Sequence, residues 1–145
     1  MFGRILVPVE HTATDDTILQ YVRPIARHCG ASLVLIHVAD GWAARNIQPL
    51  ALRESEEMRA DRAYIERMSG ELRSEGLEAD ALLAAGDPAT EIADAALRER
   101  CDLIAMATHG HKGLEDLVHG SVASRLRHMT SVPILMVRAP VTKKG

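Results

Sequence analysis

The chain has 145 residues, 47% hydrophobic and 26% charged, and 17 basic against 20 acidic side chains leave a formal charge of −3. That is one domain's length, able to bury about two thirds of its unfolded surface, with the composition of a folded globular chain rather than a disordered one. The acidic balance disfavours a nucleic-acid binder or a polybasic membrane anchor, and aromatics at 3% argue against base-stacking platforms.

Short apolar runs alternate with longer segments of helical period. Arg4 to Val9 (RILVPV) reads as a buried strand. From Asp15 to Cys29, Ile18, Leu19, Val22, Ile25 and Ala26 recur at three- and four-residue steps, marking an amphipathic helix that Gly30 ends. Pro24 inside it lacks a donor and conflicts with a straight axis. Ser32 to Val38 (SLVLIHV) is a second strand, and Gly41 to Leu50 has no clear period and reads as a loop. Glu54 to Glu75 is a long surface helix whose Tyr64 and Met68 stripe packs on the core. Ala79 to Ala84 is a weaker third strand. Asp87 then stands as N-cap with Pro88 at the first position of a helix that runs to about Arg100. Leu103 to Ala107 is the fourth strand, Thr108 to Gly120 a glycine-bearing loop, and a short helix follows through Met129 with Val122, Leu126 and Met129 on one face. Pro133 to Val137 is the last strand, and residues 139–145 form a polar, frayed tail.

Apolar strands alternating with helices define an α/β fold: a single doubly wound domain over 1–145, with a five-stranded parallel sheet covered by helices on both faces. Cys29 and Cys101 are too few and too far apart for a disulfide framework. The N-terminal apolar run is short and holds Pro8, unlike a signal peptide, and no stretch approaches the roughly 18 apolar residues of a membrane span. A cytoplasmic location without membrane contact is therefore expected.

In such a sheet, ligands bind beyond the carboxyl ends of the strands where the strand order reverses. Two loops compete for that place, Glu10 to Thr14 and Thr108 to Gly120. In the second, Gly110, Gly113, Gly120 and Ser121 would let backbone N–H groups approach a phosphate at a helix N-terminus. The same residues equally satisfy a turn followed by a helix cap. Neither the P-loop pattern nor GxGxxG after the first strand is present. His109, His111 and His119 lie close in sequence but have no cysteine or carboxylate at ligand spacing, so no metal site is assigned. Beside a phosphate these imidazoles and Lys112 would supply hydrogen bonds. His37, ending a strand, reads as structural, and Glu54 to Glu57 and Arg98 to Arg100 as solvated helix faces. No nucleophile and base can be placed together, so no catalytic residue is assigned and at most slow hydrolysis is expected.

The stretch Asp102 to Gly110 (DLIAMATHG), with Gly113-Leu114, Gly120-Ser-Val122, Val132 to Val137, the opening Ile5 to Glu10, Leu35 to Val38 and Gly86 to Ala89, resembles the universal stress protein family over nearly the whole chain. The resemblance implies a sheet of order 3-2-1-4-5 and a homodimer through the last strand, Pro133 to Val137. It implies that ATP or a related adenine nucleotide is bound, with Mg²⁺ or Mn²⁺ expected from the charge of a triphosphate. The family's nucleotide pattern G-x2-G-x9-G-S/T falls on Ala107, Gly110, Gly120 and Ser121, so Ala107 replaces the first glycine. Glu10 stands where the family usually has an aspartate near the ribose, Val38 faces adenine with Pro8 and Met106 alongside, and His109 and Val122 complete the site. The implied role is a stress-response regulator acting on an unidentified protein partner. Ala107 and Glu10 also fit an alternative, a dimeric interaction module of the same fold that binds no nucleotide.

Overall fold

The computed structural model describes residues 2–40, 56–108 and 122–139. Within them, β1 (Arg4–Pro8), α1 (Thr14–Cys29), β2 (Ser32–Asp40), α2 (Glu56–Ser74), β3 (Ala79–Gly86), α3 (Pro88–Arg98), β4 (Leu103–Thr108), the helical residues 122–129 (α4) and β5 (Ile134–Arg138) follow in order. The strands pair in parallel as 3-2-1-4-5. Ile5 lies opposite Leu33 of β2 and Leu103 of β4, and Ala107 opposite Val137 of β5.

The period-2 alternation of the strands sorts their side chains into two cores. On one face Ile5, Val7, Leu33 and Leu35 meet Ile18, Val22, Ile65 and Leu72 of α1 and α2. On the other, Leu6, Val34, Ile36 and Ile104 meet Ile92 and Ala95 of α3 and Leu126 of α4. Each fully buried Ile or Leu contributes about 2 kcal/mol. A surface pair such as Arg23 with Glu75, at 2.8 Å and part exposed, contributes about 0–1 kcal/mol, so the cores dominate.

Element ends follow local chemistry. Gly30 takes the left-handed conformation (φ 68°) that closes α1, and α1 runs unbroken through Pro24. Asp87 caps α3 by accepting from the Thr90 N–H at 3.0 Å, with Pro88 in the first turn. Gly86 just before it has φ 141°, a value L side chains rarely adopt, and a Cβ there would lie 2.8 Å from Glu91 Oε2.

Several boundaries differ from those read along the chain. Strands β2, β3 and β4 run on to Asp40, Gly86 and Thr108, because ladder pairing continues past the apolar runs that signal them. In α4, Ala123 and Leu126 are buried whereas Met129, the last residue of the helix, is 43% exposed. Ala139 is not frayed: it is buried and its N–H donates to Thr108 O at 2.8 Å, extending the β4–β5 ladder. Residues 140–145, the loop 41–50 and the glycine loop from 109 to 121 lie outside the described residues.

The 98–100 segment is also not a simple solvated face. Arg4 donates from Nε to Glu99 O at 2.8 Å and from Nη2 to Glu99 Oε1 at 3.1 Å. Beside it, the Gly3 and Arg4 amides donate to Asp102 at 2.9 and 3.0 Å. Burial alone would raise Asp102, but these two hydrogen bonds outweigh it and hold the carboxyl below its ordinary range. This polar cluster ties the start of β1 to the start of β4, at the amino ends of the strands, opposite the carboxyl ends that carry the site. Cys101 is buried and desolvation pushes its thiol up to about 11, so it packs as a small apolar residue rather than a reactive one.

Candidate functional site

Strand β1 lies between β2 and β4, so the chain leaves it in two directions and the sheet reverses its winding there. A cleft of about 290 Å³ opens at this point. Pro8, Val9 and Glu10 line it from β1 and the turn beyond, Ile36, His37 and Val38 from β2, and Met106, Ala107 and Thr108 from β4. Pro88 and Ile92 of α3 and Val122 of α4 close the side. The lining is mainly apolar with a carboxylate at the rim, which suits a flat ring system carrying a polar tail.

Six residues assigned to a ligand from the sequence thus meet in one cleft: Pro8, Glu10, Val38, Met106, Ala107 and Val122. His109, Gly110, Gly113, Gly120 and Ser121 lie outside the described residues. Ala107 is a regular ladder residue of β4, and the non-glycine residues with positive φ among those described are His11 and Arg100. A side chain at 107 therefore imposes no backbone strain.

The wall of the cleft is braced by an ion pair between helices. Arg125 of α4 donates from Nη1 and Nη2 to the two carboxylate oxygens of Asp87, each at 2.9 Å, while the Thr90 amide and hydroxyl donate to the same carboxylate. The Arg125 hydrogen bonds, followed by those of Thr90, hold the Asp87 carboxyl far below the usual carboxylate range. Because the folded value lies below the unfolded one of about 3.9, the stabilisation is full above that pH and is lost as the pH falls below it. The pair is exposed to solvent, so salt weakens it. Asp87→Asn, which keeps the cap, is expected to lower stability at neutral pH, with the difference from the wild type shrinking as the pH falls below ~4, so that the acid limb is flatter. Urea unfolding across pH 2.5–7 checks this; an unchanged acid limb counts against the pair.

The turn at the rim of the cleft is organised by a carboxylate that the sequence shows only as the start of α1. Asp15 is 2% exposed. Its oxygens accept from the Glu10 and His11 amides at 2.8 Å each, from the Thr12 amide at 3.3 Å and from the Tyr64 hydroxyl at 2.6 Å. Tyr64 is therefore more than core packing. Burial first, and then its hydrogen bond to Asp15, raises the phenol well above its ordinary value. The available signal was the acidic first turn of α1, which can serve loop amides as well as the helix dipole.

His37 and Asp61 are the other residues whose part the sequence did not disclose. His37 donates from Nδ1 to Val9 O at 3.0 Å, and its Nε2 lies 3.1 Å from Asp61 Oδ2. His11 Nδ1 reaches Asp61 Oδ1 at 2.8 Å, with its ring stacked on Tyr64 at 4.0 Å between centroids. Among the described residues no group of three His, Cys, Asp or Glu side chains could hold a metal ion, and no helix is long and apolar enough to cross a membrane.

Comparison with known proteins places this geometry in context. The model of the universal stress protein family matches residues 1–138. The chain is 28% identical over 150 residues to the universal stress protein MJ0531 of Methanocaldococcus jannaschii, covering 97% of this chain and 84% of that protein. The solved structure of MJ0577, from the same organism, superposes with a TM-score of 0.81 at 23% identity, covering 98% of this chain and 99% of that one. A universal stress protein of Archaeoglobus fulgidus, solved in complex with dAMP, superposes with a TM-score of 0.68 at 20% identity, covering 93% of this chain and 97% of that one.

Proposed function

Because the chain belongs to the universal stress protein family, we propose that it binds an adenine nucleotide, ATP, in the cleft beyond β1, β2 and β4. The observation that carries this reading is the convergence of Pro8, Glu10, Val38, Met106, Ala107 and Val122, from four separate segments, on one cleft at the point where the sheet reverses. The dAMP complex of the Archaeoglobus fulgidus relative supports the choice of an adenine nucleotide.

In this reading the base lies between the end of β2 at Val38 and the side chains of Pro8 and Met106. The apolar lining removes water from its faces, while backbone groups at the strand end read its edge. Glu10 accepts from ribose hydroxyls. The phosphates run toward the start of α4, onto the amides of Gly110, Gly113 and Gly120 and the hydroxyl of Ser121, with His109 beside them. The N-terminal end of a helix favours that charge. Ala107 takes the first glycine's place in the motif. Mg²⁺ or Mn²⁺ would neutralise part of the triphosphate.

The protein then works as a nucleotide-dependent regulator in the cytoplasm rather than as an enzyme, and it dimerises through β5. That strand pairs with β4 on one side, and Met136 on it is 41% exposed. The test is a calorimetric titration with ATP, with and without Mg²⁺, against AMP. Micromolar binding of one ATP per chain, weaker for AMP, is the expected result. No heat up to millimolar ATP, with no nucleotide released on denaturation, overturns the reading.

A further inference from the structure

Glu10 sits in a turn that is held from both sides by one residue of a distant helix. Asp61 lies on α2, which packs on the face of the sheet away from α3 and α4, and is 8% exposed. Its two carboxylate oxygens are divided between two imidazoles. Oδ1 accepts from His11 Nδ1 at 2.8 Å, and Oδ2 faces His37 Nε2 at 3.1 Å. His37 then passes the contact on, donating from Nδ1 to Val9 O. Val9 precedes Glu10 and His11 follows it, so the residues on either side of Glu10 are both anchored to Asp61.

The anchoring holds the turn in a conformation the backbone does not favour. His11 has φ 64°, in the left-handed region that non-glycine residues seldom occupy. Such a residue persists where its surroundings over-determine it. Here the surroundings are the Asp61 carboxylate, the face of Tyr64 and the Asp15 oxygen that takes the His11 amide at 2.8 Å. Tyr64 in turn donates to Asp15, and Asp15 accepts the Glu10 amide. The contacts therefore close a loop around Glu10. Helix α2 does not need them for docking, because Ile65 and Leu72 are already buried in the core beneath it. What they fix is the position of the turn at the rim of the cleft, which His37 and Glu10 both line.

We propose that Asp61 is a positioning residue for nucleotide binding, acting through His11 and His37 to hold Glu10 where it meets the ribose. This rests on the adenine-nucleotide reading of the cleft. Asp61→Asn can satisfy only one imidazole and is expected to weaken ATP about tenfold by calorimetry. A thermal melt confirms that it is folded at the titration temperature. His11→Asn is the second variant: asparagine tolerates the left-handed conformation but reaches neither Asp61 nor Tyr64 in the same way. The deciding comparison is the double variant Glu10→Ala with Asp61→Asn. If Asp61 acts through Glu10, the double variant binds no more weakly than Glu10→Ala alone. Wild-type affinity in Asp61→Asn, or an effect that adds in full to that of Glu10→Ala, overturns the proposal.

Should the wild type bind no nucleotide, the reading of the cleft has failed. The clamp itself is then judged by amide hydrogen exchange of the ligand-free protein. The Glu10 and His11 amides exchange faster in Asp61→Asn if the clamp holds the turn, and unchanged exchange overturns it.

Discussion

Replacing Asp15 by alanine is expected to destabilise the fold by about 3 kcal/mol. The change removes a nearly buried carboxylate and leaves the Glu10, His11 and Thr12 amides and the Tyr64 hydroxyl without their acceptor. A buried donor left unpaired costs about 1–3 kcal/mol, so four would sum to about 4–12 kcal/mol, comparable to a domain's whole stability. The three amides belong to an exposed turn and can recover water in part, which brings the net cost down to the stated figure. Urea unfolding at constant m gives the loss directly. A second readout separates Asp15 from a general core defect. The folded-state value of Tyr64 lies above the unfolded one of about 10, so its contribution is present below that pH and disappears as the pH rises through the higher folded value. In Asp15→Ala the phenol should ionise at lower pH, seen by ultraviolet absorbance. An unmoved phenol would mean that burial alone sets it.

Val38→Trp is expected to weaken ATP by about a hundredfold or more while leaving the protein folded. Val38 lies near the end of β2, is half-buried and lines the cleft, so an indole there takes the volume assigned to the base. Because the cleft is open space, the substitution avoids most of the roughly 1–3 kcal/mol that overpacking costs inside a core. Ala107→Gly is the useful control. Position 107 has no positive φ and is paired with Val137, so removing its methyl should change affinity little. A large gain in affinity from Ala107→Gly would show instead that the methyl blocks the site. Full affinity in Val38→Trp would place the nucleotide elsewhere.

Glu10 was recognisable as a candidate because the loop after the first strand is where a doubly wound sheet binds ligands, whereas Val38 and Met106 were named only through the resemblance to the universal stress protein family. Ile92 and Pro88 were legible only as parts of a helix, since nothing in α3 says which side of it faces the cleft. Thr108 was assigned to a loop, because the chain turns polar there although the β4–β5 pairing continues. Asp61 sat among the charges of a long surface helix and carried no mark separating it from its solvated neighbours.

The sequence by itself determined the order and kind of the elements, and with them the α/β class. It also determined the ends set by short-range chemistry, such as the Asp87-Pro88 start of α3 and the Gly30 stop of α1. These depend on hydrogen bonds spanning three to five positions and on apolar periods read within one segment. Only the tertiary structure decided that Asp61 would meet His11, 50 positions away, or that Tyr64 would reach Asp15 across 49. Such contacts depend on how α2 docks over β2 and β3, and many charge patterns along it are compatible with the same buried stripe. The apolar faces direct each helix onto the sheet; which polar side chains then converge at its edge follows from the docking geometry, to which local periodicity is blind.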